Sequence, residues 1–160
     1  MTDFEALLGT LDRNKVEYII AGGAAAIAHG SSRLTQHLDV VCRRTPENLS
    51  HLVMALKDFS PYLRGVPLGL PFTWDAETLR RGLNFTLITS LGAIDLLGDI
   101  PGGGTYDDLI GSSISLPVFQ GTSRWLSLDQ LIRAKRAAGR PKDLEALAEL
   151  QAIREEFPEV

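Results

Sequence analysis

Four ionisable side chains stand where strands and helices seldom place them. The run His37-Leu38-Asp39-Val40-Val41-Cys42 has strand composition. The two-residue alternation of a strand sets His37 and Asp39 on one side and Leu38 and Val40 on the other. In Ala93-Ile94-Asp95-Leu96-Leu97 the same alternation turns Asp95 away from Ile94 and Leu96. Acids are uncommon inside strands. A solvated sheet face is the ordinary account of any one of these residues, but their joint occurrence after Gly22-Gly23 favours a shared site. Lys135 is the fourth. It follows Leu128, Leu131 and Ile132 at helical spacing, so it is expected to point inward, and a lysine there needs an anionic partner, either a carboxylate or a bound phosphate.

The elements that must position these groups are legible from periodicity and punctuation. Phe4, Leu7, Leu8 and Leu11 predict a helix over 3–14, and Val16 to Ala21 a strand that ends at a tight Gly22-Gly23 turn, with a short helix from Ala24 to His29. Thr45 as N-cap, Pro46 at the first helical position and apolar residues through Phe59 predict the next helix. Pro61 to Phe72 reads as an ordered loop, Asp75 to Arg81 as a helical turn, and Leu83 to Leu97 as a β-hairpin around Ser90-Leu91-Gly92. Pro101 to Gly104 reads as a turn. A brief helix at Tyr106 to Ile110 and strand pieces at Ser113 to Phe119 and around Trp125 follow. Ser127 caps a helix that Gly139 stops, and Pro141 opens another reaching Glu156. Arg133, Arg136 and Arg140 fall together on the side opposite Lys135. Asp143 sits in the first turn after Pro141, where the helix dipole alone accounts for it.

Composition bounds the whole. The chain has 160 residues, 44% hydrophobic and 22% charged, which suits one globular domain and not disorder, a fibre or a membrane protein, and the mixture of helices and strands above makes it an expected α/β domain. We expect a core over about 1–120 and a helical region over about 121–160. Sixteen Lys+Arg against 20 Asp+Glu and a net charge of −4 exclude binding of nucleic acid through overall charge alone. A lone cysteine, Cys42, permits no internal disulfide and is expected in the core; the acidic N-terminal residues are unlike a secretion signal, and a cytoplasmic protein is expected. Gly102-Gly103-Gly104 lacks the Lys-Ser/Thr ending of a phosphate loop, His29 reads as a helix-ending residue with local hydrogen bonds, and Ser31, Ser32 and the histidines form no hydrolase triad.

Gly22-Gly23, the short helix ending at His29-Gly30, then Arg33, Thr35, His37-Leu38-Asp39 and Gly92-Ala93-Ile94-Asp95 resemble the minimal nucleotidyltransferases of the DNA polymerase beta-like superfamily. Leu126 to Lys135 with Gly139-Arg140-Pro141-Lys142-Asp143-Leu144 is similar to the tail of its AbiEii-like branch, the toxin nucleotidyltransferases of toxin–antitoxin and phage-defence pairs. The resemblance implies a mixed β-sheet flanked by helices with a C-terminal helical pair. It also implies transfer of a nucleotidyl group from an NTP to a hydroxyl of RNA (tRNA), a protein or a small molecule. By it, Gly22 and Gly23 approach the phosphates, and Asp39 and Asp95 hold Mg²⁺ or Mn²⁺. Lys135 contacts the triphosphate, Asp143 orients it or acts as base, and Arg33 pairs with phosphate or forms a surface ion pair. An antitoxin partner is implied, and no membrane.

One position departs from that pattern. His37 stands where the family carries its first aspartate, and an imidazole nitrogen suits Mn²⁺, Zn²⁺ or Ni²⁺ better than Mg²⁺. At the level of sequence three accounts stay open: a variant site using another metal, an inactive relative, or a substitution in an otherwise active enzyme. The alternative to an enzyme is therefore a catalytically impaired relative that binds a nucleotide or a partner. A protein that neutralises a partner through Arg133, Arg136 and Arg140 is a further one.

Overall fold

The computed structural model describes residues 1–158. It is a mixed α/β fold with seven α-helices and a seven-stranded mixed sheet among those residues. The helices are α1 (Phe4–Arg13), α2 (Gly22–Ala28), α3 (Pro46–Leu56), α4 (Ala76–Arg81), α5 (Tyr106–Leu109), α6 (Leu128–Ala138) and α7 (Pro141–Glu156). The strands are β1 (Tyr18–Ala21), β2 (His37–Cys42), β3 (Tyr62–Leu63), β4 (Asn84–Thr89), β5 (Gly92–Leu97), β6 (Asp99–Ile100), β7 (Gly104–Thr105), β8 (Ile114–Val118) and β9 (Gly121–Trp125). The main sheet runs β3-β4-β5-β2-β1-β9-β8, and β6 pairs with β7 separately.

The core of the sheet is built on β1, every residue of which is buried, and on Leu38, Val40, Val41 and Cys42 of β2. A strand flanked on both edges and covered on both faces has no side left for polar residues, so the Tyr-Ile-Ile-Ala run of β1 does not alternate. Helices α1 and α3 pack together, as do α2 with α6 and α6 with α7. The apolar positions that predict α1 and α3 supply Leu7, Leu11, Leu49, Leu52 and Leu56 to the core. β1 is antiparallel to β2, whereas β2 runs parallel to β5.

Local chemistry sets the boundaries near the site. Thr45, Asp75 and Ser127 accept hydrogen bonds from the backbone N–H groups three residues on, capping α3, α4 and α6. Gly139 ends α6 at φ 67°, the left-handed conformation that favours glycine, and Pro141 opens α7. The hairpin β4–β5, the brief α5 and both C-terminal helices lie where the sequence puts them. Three expectations need correction. Gly22 and Gly23 do not form a turn ahead of a helix at Ala24; they are its first two residues. The 61–72 segment contains the short edge strand β3, too brief for a periodicity to reveal. The sheet also extends past residue 120, because β9 lies between β1 and β8.

Candidate functional site

Parallel pairing of β2 with β5 makes Asp39 and Asp95 register partners, so both carboxylates leave the same side of the sheet. His37, two residues before Asp39, joins them. Its Nε2 lies 3.2 Å from Asp39 Oδ1 and 3.5 Å from Asp95 Oδ2. One nitrogen and two carboxylate oxygens, one from each residue, fall within 4.8 Å of one another, a group that could hold a metal ion. Ala21 pairs with Asp39 across β1 and β2, so the chain leaving β1 passes directly over the Asp39 carboxylate. That is why Gly22 is glycine: a β-carbon there would collide with the carboxylate, and its φ of 58° is one that other residues seldom adopt. At Gly23 a β-carbon would meet the Thr35 side chain at 2.9 Å.

Arg64, to which no sequence pattern points, completes this end of the site. It follows β3 and donates from Nη2 to Asp95 Oδ1 at 2.6 Å and from Nη1 to the Leu87 carbonyl at 2.9 Å. Asp95 thus spends one oxygen on Arg64 and keeps the other facing His37. Even so, its carboxyl is raised above the ordinary range: burial is the largest cause, Arg64 opposes it, and the nearby Asp39 charge adds to it. The His37 imidazole is also raised, chiefly through its hydrogen bond to Asp39, with burial opposing.

The C-terminal helices bring a second group of charges to the same cavity, whose volume is about 500 Å³. Lys135 does turn toward an anion, as its place on the α6 stripe requires. Its Nζ lies 3.3 Å from Asp143 Oδ1, and Asp143 is only 1% exposed. Asp143 also accepts from Arg140 Nε at 2.5 Å, from Arg140 Nη2 at 3.2 Å and from the Arg140 backbone N–H at 3.2 Å. Arg140 first, with Lys135 adding to it, holds the Asp143 carboxyl down to about 2. This corrects two readings. The dipole alone does not explain Asp143, which is a buried ion-pair centre. Arg140 does not lie with Arg133 and Arg136 on the far side; the bend at Gly139 carries it back to the cavity.

Arg33 lines the cavity as well, 3.7 Å from Glu149 and 3.8 Å from Glu145. His29 accounts for its own burial by a 2.9 Å hydrogen bond between Nε2 and the Leu126 carbonyl. Cys42 is buried, and burial pushes its thiol up to about 12, which leaves it inert. The cavity wall includes Arg33, Arg64, Lys135, Arg140 and Lys142 against Asp39, Asp95, Asp143 and Glu149, five cations to four carboxylates in a chain of net charge −4. A concave site with that local excess favours an anionic ligand. Among the described residues, no helix is long and apolar enough to cross a membrane. No family model matches the chain, and no curated protein matches it.

Proposed function

We propose that this chain is a metal-dependent nucleotidyltransferase with the polymerase beta-like fold, of the AbiEii-like kind, moving a nucleotidyl group from an NTP to a hydroxyl acceptor. The observation that carries the reading is the register pairing of Asp39 with Asp95 on adjacent parallel strands, with His37 Nε2 in reach of both. The donor set fits a divalent ion, and its imidazole nitrogen fits Mn²⁺ better than Mg²⁺. Asp39 and Asp95 would hold the ion, with His37 as a third ligand. Such an ion supplies activation of an attacking hydroxyl and neutralisation of phosphate charge.

The chain's own groups do the rest. Lys135 and Arg140, already converging on Asp143, offer positive charge to the triphosphate, and Asp143 keeps both in place. Arg33 and Lys142 add to the same wall. In the reaction the acceptor hydroxyl gives up its proton to solvent as its oxygen forms a bond to the α-phosphorus, the bond from that phosphorus to the oxygen bridging the β-phosphate breaks, and pyrophosphate leaves with that electron pair. A cavity of about 500 Å³ is of nucleotide size.

A second reading draws on the charge balance of the triad. Arg64 at 2.6 Å from Asp95 and His37 at 3.2 Å from Asp39 already give both carboxylates a partner. That favours a relative that binds a nucleotide without turning it over. Calorimetric titration of ATP with Mn²⁺ and then Mg²⁺ tests the first reading: binding should be tighter with Mn²⁺, and the Mn²⁺-dependent gain should vanish in Asp39→Asn. Silence with both ions would end it. His37→Asp separates the two, because transfer that appears or increases with Mg²⁺ marks an enzyme, whereas binding without pyrophosphate release marks the binding protein.

A further inference from the structure

The segment after α2 meets the middle of α7 in a way that a simple tether does not require. Ser31 Oγ donates to Glu149 Oε1 at 2.5 Å across 118 residues of sequence. Ser32 donates to Glu149 Oε2 twice, from Oγ at 3.1 Å and from its backbone N–H at 3.3 Å. Arg33 Nε stands 3.7 Å from Oε1. Both oxygens of one carboxylate are therefore engaged, by two hydroxyls, an amide and a guanidinium. Ser31 is buried, Ser32 and Arg33 are exposed, and the Glu149 side chain is 27% exposed, so the cluster lies at the open rim of the cavity where a solute can reach it. The Ser31 hydrogen bond, with those of Ser32, holds the Glu149 carboxyl below the usual range.

Hydroxyls, a backbone N–H and a guanidinium converging on a bidentate anion are equally a donor set for a phosphoryl group. Ser31, Arg33 and Glu149 line the same cavity as Lys135, Arg140 and Lys142. The geometry points to Ser31, Ser32 and Arg33 as an anion subsite for the polyphosphate of the ligand, closed in the free protein by Glu149 as a built-in competitor. The choice of polyphosphate rests on the nucleotide reading above. Entry of the phosphate displaces the Glu149 carboxylate and releases α7 from the 31–33 segment. Glu149 therefore sets affinity by occupying the donors, and its contact with the 31–33 segment holds only while they carry no ligand, α7 itself staying packed on α6.

The probe is inorganic triphosphate, titrated calorimetrically with a chelator present and no metal. Glu149→Gln keeps the shape and the helix propensity but removes the charge, so it should tighten triphosphate binding about tenfold, the scale of losing one charge-assisted competitor. Adding Ser31→Ala and Ser32→Ala to it should abolish that gain. Unchanged or weaker binding in Glu149→Gln overturns the proposal. The serine pair replaced in the otherwise native chain gives an independent arm: affinity should fall severalfold, and an unchanged value overturns the proposal equally. A purely structural latch would shift only the melting temperature. Because no metal is present, triphosphate effects seen without any Mn²⁺-dependent ATP binding would keep the anion subsite and remove the nucleotidyltransferase reading.

Discussion

Asp95 and Asp143 each have an arginine nitrogen within hydrogen-bond distance, at 2.6 and 2.5 Å, yet their carboxyls move in opposite directions. Asp143, at the start of α7, is the more buried of the two and is held down to about 2. Asp95, on β5, is raised. Burial is the largest cause of the Asp95 rise and the hydrogen bond from Arg140 the largest cause of the Asp143 fall, and the neighbours decide whether burial is offset. Asp143 receives Arg140 through side chain and backbone and Lys135 besides, so its charge is satisfied from several directions. Asp95 has Arg64 on one oxygen and the His37 imidazole 3.5 Å from the other, and it faces the Asp39 charge across the parallel register. The C-terminal cap is thus electrostatically closed, whereas the strand pair remains short of positive charge, and the cost of its burial is what a divalent ion would relieve.

The sharpest way to test that contrast is to remove each carboxylate in turn. Asp95→Asn takes away one of two facing charges, so stability should change by less than about 1 kcal/mol. Mn²⁺ affinity should fall by about a hundredfold, at least the loss that even outer-shell changes bring to metal sites. A stable variant with undiminished Mn²⁺ binding would break the comparison at its strand end. Asp143→Ala should do the reverse. It removes the cap of α7 and leaves two cations facing one another, at about 2 kcal/mol, and thermal melting should show a fall of roughly 4–8 °C.

A smaller effect appears in acid. Asp143 in the folded chain stays ionised down to about 2, whereas in the unfolded chain it takes up its proton near 3.8. The unfolded state binds more protons in that interval, so the contribution of Asp143 is complete above 3.8 and is lost as pH falls through about 2. Asp143→Asn should therefore show a shallower loss of stability between pH 4 and pH 2 than the native chain. Parallel curves from chemical denaturation would place the ion pair outside the folding equilibrium.

Much of this architecture was readable in the residues. The cap at Ser127, the stop at Gly139 and the start at Pro141 bracket α6 and α7, because capping and φ preference act within a few residues. The alternation in β2 and β5 correctly set His37, Asp39 and Asp95 apart from their apolar neighbours. Arg64 stayed hidden because the two residues of β3 carry no period and the arginine meets its partner 31 residues on. Helical spacing continued from α6 puts Arg140 beside Arg133 and Arg136, and the left-handed residue Gly139 breaks that continuation. Glu149 carried no signal, since its partners Ser31 and Ser32 lie far away in the chain.

Most helix limits and the side chains that share a face are written in the residues, since they follow from dihedral preference, capping and periods of two or 3.6 residues; the start of α2 and the two-residue β3 are exceptions. Assembly of the sheet and helices sets Asp39 beside Asp95 and not beside another residue, brings Arg64 to one of them, and turns Asp143 and Glu149 toward the cavity from the opposite side. Strand register and the return of a distant helix arise from packing the whole core at once, and no local run of residues encodes them.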